Sequence, residues 1–441
     1  MGENLEKEER FKLLEAELES YGKNPLPSTN SCIYRVPKKL RRVKEEAYIP
    51  EIISIGPYHQ GNPILSSMED NKKWYFQAFV SRKLSPSSEL NLKDLIKAIE
   101  KIETVVREYY FEKLDERFTS DEFVKMMLID GCFILELLHR AGDESGRNDN
   151  DPIFNTAWML FSLQHDLILL ENQIPFLVLQ TIFSLTCRDI EQGERTLMEL
   201  VVRFFAAMLP TIQVVQQTRS NYVLTKPKHI LDLLRNILLP SASQMEVAGR
   251  YPVWEFTHCV TDLWEAGVDF KRKEKADGLL DIQFNGKEGI FEIPPFFFDE
   301  STDVLLRNLI AMEQSEGNST RQITSYVLLL DILMNSEKDV KLLRHKKIIH
   351  SYLGDDEEMA VVINSLCKGV SITKFYYDGL CHRCNEYFER DWHKWRAVLK
   401  RDYFNTPWAV LSFTGAVLLL FLTLIQTILA ILSYASPKKA S

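Results

Sequence analysis

Apolar side chains recur at i, i+3 and i+4 through residues 92–114, 122–140, 156–185, 194–208, 230–238, 302–311, 326–334 and 357–366. That rhythm predicts helices, the third broken at Pro175. One stretch departs from it. Ile282 and Phe284, then Ile290, Phe291 and Ile293, flank Asn285-Gly286-Lys287-Glu288-Gly289, and two short apolar runs about a glycine-containing loop predict a small β-hairpin. Stretches rich in Gly, Pro, Asn and Ser at 142–152, 216–229, 240–252 and 314–322 read as loops. No fixed period recurs, so a solenoid is not supported. The predicted fold class is mainly α, a large helical globular body with a small β-hairpin.

A different pattern closes the chain. Residues 408–434 carry no charged side chain, with Trp408 and Tyr434 at the two ends. At about 1.5 Å per residue the run reaches roughly 40 Å, more than the hydrocarbon core of a bilayer needs, and the terminal rings suit the headgroup level. One transmembrane helix is predicted, with the lipid bilayer as its partner. Arg390, Lys394, Arg396, Lys400 and Arg401 precede the span and only Lys438 and Lys439 follow it. The positive-inside bias therefore sets the body on the cytoplasmic side. The first 22 residues hold no apolar signal core, and Glu6 breaks the myristoylation pattern. The expected topology is single-pass and tail-anchored, in the plasma membrane or an endomembrane. The organisation is then an acidic N-terminal segment (1–30), a helical domain (31–405), the span (408–434) and a short tail (435–441). In the first of these, Phe11, Leu14, Leu18 and Tyr21 fall at helical spacing before Asn24, Pro25 and Pro27, which predicts a short docking helix or a frayed tail.

Side chains within the span are sorted. With about 100° per residue, Ser412, Gly415, Thr423, Gln426 and Ala430 share one face with Ala416, Leu419, Thr427 and Ser433, while Val417, Phe421, Leu424, Ile425, Ile428 and Leu432 take the other, with Thr414 as the polar exception there. Small residues admit a second helix closely and Gln426 can hydrogen-bond across the contact. The sorting predicts self-association, or pairing with another single-span protein.

Composition narrows the function. Hydrophobic residues at 45% and charged residues at 26% describe an ordinary folded chain. The balance of 53 Lys plus Arg against 62 Asp plus Glu, a formal charge of -9, argues against a nucleic-acid partner, which needs a basic surplus. A local basic run, Arg35, Lys38, Lys39, Arg41, Arg42 and Lys44, reads as a solvated face answered by Glu45 and Glu46, with anionic lipid or nuclear import as alternatives. Seven cysteines, an odd number, fit a reducing compartment.

Catalytic signatures are missing from the sequence: G-x-S-x-G, G-x-G-x-x-G, H-E-x-x-H and H-R-D do not occur. Gln164-His165-Asp166 and Glu171-Asn172-Gln173 are polar residues in an apolar setting, and Leu169 and Leu170 occupy the positions four residues after His165 and Asp166. The spacing excludes a simple ligand pair on one helix and predicts a buried hydrogen-bonded network. Cys381-His382-Arg383-Cys384, with His393 downstream, lacks the second ligand pair of a structural zinc site. No catalytic residue, cofactor or metal ligand is assigned. His59, His165, Asp166 and Glu171 are the candidates for a rival reading as an enzyme at the membrane surface.

Several motifs together resemble a family. They are Ile33-Tyr34-Arg35-Val36-Pro37, Pro50-Glu51-Ile52-Ile53-Ser54-Ile55-Gly56-Pro57-Tyr58-His59, Met68-Glu69-Asp70-Asn71-Lys72, Met127-Leu128-Ile129-Asp130-Gly131-Cys132-Phe133, Asp166-Leu167-Ile168-Leu169-Leu170-Glu171-Asn172-Gln173-Ile174-Pro175-Phe176, Asn308-Leu309-Ile310-Ala311-Met312-Glu313-Gln314 and Tyr403-Phe404-Asn405-Thr406-Pro407-Trp408. They are similar to the plant domain of unknown function 247, over residues 31–430. The resemblance implies a plant single-pass membrane protein without an established enzymatic activity. Some relatives are implicated in pollen-side recognition during grass self-incompatibility, which implies a recognition role and supplies no catalytic residues. Gly56-Pro57 reads as a turn placing Tyr58 and His59, and Glu69 is spaced to pair with Lys72 and Lys73.

Overall fold

The computed structural model describes residues 10–15, 18, 30–84, 90–114, 117–142, 151–187, 190–210, 226–240, 256–317, 321–372, 374–389 and 407–435. Tyr21, the expected loops for the most part, His393 and the basic residues at 390–401 lie outside them.

The first half of the body is built around one helix. In chain order come α1 (Lys38–Arg41), α2 (Ser67–Lys83), α3 (Leu92–Glu108), α4 (Ser120–Gly142), α5 (Ala157–Leu167), α6 (Phe176–Thr186), α7 (Ile190–Phe205) and α8 (Ile230–Leu238). From Phe123 to Leu138, α4 buries nearly every side chain, because its sequence is apolar on all sides. It packs against α2, α3, α6 and α7. Gly131 permits a close approach to α6: a Cβ there would sit 2.7 Å from Ile182 Cδ1 and 3.3 Å from Val178 Cγ1.

The second half mixes helices with short strands: α9 (Val260–Glu265), β1 (Asp269–Arg272), β2 (Gln283–Asn285), β3 (Ile290–Ile293), β4 (Phe296–Phe298), α10 (Glu300–Ser315), α11 (Gln322–Leu333), α12 (Glu337–His345), β5 (Ile349–Ser351), α13 (Asp356–Leu366) and α14 (Asp378–Phe388). The hairpin is present, β2 pairing antiparallel with β3 and Phe284 opposite Phe291. It is larger than expected. β1 adds in parallel to β3, and β4 pairs in parallel with β5. α10 joins the halves, packing against α5, α8, α11 and α13, and the buried apolar residues from Cys32 to Tyr387 form one continuous core.

Several boundaries moved. The long helix expected over 156–185 ends at Leu167 and resumes at Phe176, so Pro175 is the residue just before the second helix rather than the break itself. Helices α2, α9, α12 and α14 had not been read from the pattern. Phe11, Leu14 and Leu18 are exposed at 67%, 47% and 58%, so among the described residues this stretch is not docked on the body. The last helix, α15 (Pro407–Ala435), contains the candidate span Leu411–Leu432, none of which is buried.

Candidate functional site

The most built feature is a polar nucleus at the loop between α5 and α6. Its origin is a backbone problem. Residues 49–58 run outside regular helix and strand, so their N–H groups lack the usual backbone partners and need others if buried. Asp166 supplies them: Oδ1 accepts from Glu51 N at 2.7 Å, and Oδ2 accepts from Ile52 N and Ile53 N at 2.8 Å each. Asn172 Oδ1 then accepts from Ile55 N at 2.7 Å, and Asp130 Oδ2 accepts from Gly56 N at 2.8 Å. Side chains from α4, α5 and the following loop thus hold an irregular segment more than seventy residues upstream.

The same loop fixes itself and α10. Asn172 Nδ2 donates to Ile53 O and Asp166 O, and Gln173 Nε2 donates to Leu167 O and Leu169 O. Gln173 Oε1 accepts from Leu231 N on α8, while Asn308 of α10 accepts from Leu170 N and donates to Ala47 O. The network predicted from Gln164 to Gln173 is therefore real. Its partners lie far away in sequence.

Two charged clusters border it. Lys72 Nζ is buried and donates at 2.8 Å to Ser54 O and to Asp130 Oδ1, and it pairs with Glu69 at 2.8 Å. Burial works to lower the Lys72 pKa, but Asp130 and Glu69 outweigh it and the shift is upward. Lys73 pairs with Asp70 instead of Glu69. An open cavity of about 340 Å³ lies over Lys72 and Asp130, with Gln60, Lys73 and Lys125 also lining it. In the second cluster the buried Glu171 carboxylate accepts from Val36 N at 2.6 Å, from Arg41 Nη2 at 2.5 Å and from Arg35 Nη1 at 3.1 Å.

The four candidate residues of the enzyme reading fall into two pairs. His59 Nε2 stands 3.7 Å from Glu171 Oε2 and makes no hydrogen bond. Its pKa is lowered from 6.5 to about 4, by burial first and then by Arg35, Arg41 and Arg117, against the pull of Glu171. His165 Nδ1 lies 3.0 Å from Asp166 Oδ1. Both carboxylates are already engaged by backbone N–H groups, guanidinium groups or both. Chemically the arrangement is suited to holding backbone in place.

The basic run is corrected in the same way. Its inward members are answered by distant carboxylates, Arg35 by Glu112 and Glu171, Arg41 by Glu171 and Lys44 by Asp303, not by Glu45 and Glu46, which are exposed. The spacing of Asp130 inside an apolar helix and of Asn308 in α10 was the available signal for the remaining network members. Cys381 and Cys384 are buried thiols on α14, raised by burial, Cys384 to about 12. Among the described residues no three His, Cys, Asp or Glu side chains are grouped to hold a metal.

In the candidate span, α15 is helical from Pro407 to Ala435, and Ser412, Gly415, Thr423, Gln426 and Ala430 lie along it. Thr423 and Thr427 hydroxyls donate to Leu419 O and Thr423 O, each at 2.8 Å, and a Cβ on Gly415 would meet nothing within 4 Å.

The body is a helical scaffold locked by buried carboxylates and amides, followed, among the described residues, by one helix long and apolar enough to cross a membrane. The pattern of the plant protein family of unknown function DUF247 matches residues 33–422, and the chain belongs to that family. A UPF0481 protein of Arabidopsis thaliana is 30% identical over 96% of this chain and 90% of its own length. A putative UPF0481 protein of the same plant is 23% identical over 94% of this chain and 92% of its own. No solved structure matches.

Proposed function

We propose that the protein is a membrane-tethered recognition protein whose helical body binds another protein. In this reading α15 lies in a bilayer, the body is cytoplasmic, and the Ser412, Gly415, Thr423, Gln426 and Ala430 face pairs with a second single-span helix. The observation that carries the binding role is on α5. Trp158 and Phe161, one turn apart, are 59% and 60% exposed, while Leu163, Gln164, Asp166 and Leu167 of the same helix are buried. Ser162 of the same helix donates to Glu51 Oε2 at 2.5 Å. Single exposed apolar residues are ordinary. Two large rings on a helix fixed from behind offer rigid aromatic area of the kind that protein interfaces bury at their centres.

The enzyme reading draws less support, because Asp166 and Glu171 spend their lone pairs on backbone and guanidinium donors. Proximity labelling in plant cells tests the proposal. With Trp158→Ala and Phe161→Ala combined, the chain should keep its membrane fraction and lose a defined subset of labelled neighbours. An unchanged neighbour set would refute the role of this surface.

A further inference from the structure

The basic run at 35–44 divides in the folded chain. Arg35, Arg41 and Lys44 turn to Glu171, Glu112 and Asp303, whereas Lys38, Lys39 and Arg42 are exposed. Those three do not stand alone. Lys39 Nζ donates to Ser371 Oγ at 2.8 Å. Gly369, at φ +77°, approaches so closely that an added Cβ would lie 3.1 Å from Lys39 O. This contact brings the exposed Lys368 beside α1, with the exposed Lys374 three residues beyond Ser371, and Arg321 donates to Ser371 O at 3.2 Å on the same loop. Among the described residues none of Lys38, Arg42, Lys368 and Lys374 meets a carboxylate. Glu45 and Glu46 bound the face on one side. A chain of formal charge -9 thus gathers cations from two remote segments onto one surface.

We infer that this surface, α1 together with Lys368 to Ile372 and Lys374, rests on the anionic headgroups of the bilayer that holds α15. The inference relies on the tethered reading above and adds the orientation of the body. Two observations choose lipid among polyanions. The basic loop leads directly into α14, the last described element of the body, whose 11 residues span about 16 Å. From Glu389 to Pro407 the chain can extend at most roughly 60 Å, so any bilayer entered by α15 is within reach. A negatively charged leaflet attracts juxtamembrane Lys and Arg side chains, each worth about fivefold in association, with an effect that salt removes.

The test uses the full chain in nanodiscs of neutral phosphatidylcholine or of phosphatidylcholine mixed with phosphatidylserine, with lysine acylation read residue by residue. Lys38, Lys368 and Lys374 should acylate about fivefold more slowly in the anionic discs, and high salt should restore the rate. Lys38→Gln, Lys39→Gln and Lys368→Gln together should return Lys374 to its rate in neutral discs. Equal rates in the two discs overturn the inference. So does protection in neutral discs by added polyglutamate or nucleic acid with none from phosphatidylserine, which would give the face to that partner. Resistance of the chain to carbonate extraction from neutral discs reports the α15 anchor separately.

Discussion

A methyl group on Gly56 would meet the Gln173 carbonyl oxygen at 2.6 Å, on a residue already at φ +72°. Gly61 has a similar backbone, φ +83°, and nothing within 4 Å. Gly61→Ala therefore carries only the left-handed backbone cost, about 1–2 kcal/mol, whereas Gly56→Ala adds displacement of the α5–α6 loop from the N–H groups it captures. Urea denaturation of the two variants should show Gly56→Ala to be the more destabilised by at least about 1 kcal/mol; equal losses would mean that the Gly56–Gln173 approach is slack. His59 makes the pH profile informative. Its folded pKa is depressed to about 4, so between pH 6.5 and 4 the unfolded chain binds a proton that the folded chain refuses. Stability from this group must fall as pH falls through that window, by up to about 3 kcal/mol, and its side chain is only 13% exposed, which limits screening. His59→Gln should flatten that part of the stability profile. Parallel profiles for the two chains would show that His59 protonates freely in the fold.

Elements differ in how much of them the sequence reveals. Helix α8 is bounded as its apolar spacing predicts, Ile230–Leu238, because the signal that marks it, apolar residues at helical spacing, is local even though its packing is not. Helix α2 escaped for a specific reason: Met68, Lys72, Tyr75 and Phe79 form its buried stripe, and a lysine in that stripe reads as polar until Asp130 is seen beside it. Strands β1, β4 and β5 are three or four residues long and pair in parallel with remote partners, which leaves no local signature. The Asp166–Asn172 network was legible as buried polarity, but its partners at Glu51 to Ile55 are separated by more than a hundred residues, beyond any spacing rule. That network also explains why α5 stops before Pro175. For α15 the prediction concerns association. Thr423 and Thr427 spend their hydroxyl protons on their own helix, so in the proposed pairing Gln426 and Ser412 are the polar side chains left to bond across, and Gly415 would be the point of closest approach. Gln426→Leu with Gly415→Leu should weaken association in a membrane reporter by about threefold or more, while Phe421→Leu with Ile428→Leu should not. Equal signals from both pairs would make the helix a plain anchor.

At the scale of the molecule, the division between body and last helix follows from where the apolar surface goes. The continuous core runs from Cys32 to Tyr387 and takes no residue from Leu411–Leu432. That helix leaves its whole apolar surface unburied, a cost in water that lipid removes. Ending the chain at Thr406 removes none of the described residues that make up the core. The shortened chain should therefore leave the membrane fraction and keep the urea midpoint of the full chain to within about 1 kcal/mol of stability. Two failures would mean different things. Retention that high salt reverses would reflect the basic face, since attraction between exposed charges is screened within about 10 Å or less at such ionic strengths. Retention that survives both salt and carbonate washing would require a second apolar membrane contact within the body, and α15 would then no longer account for the attachment of the protein.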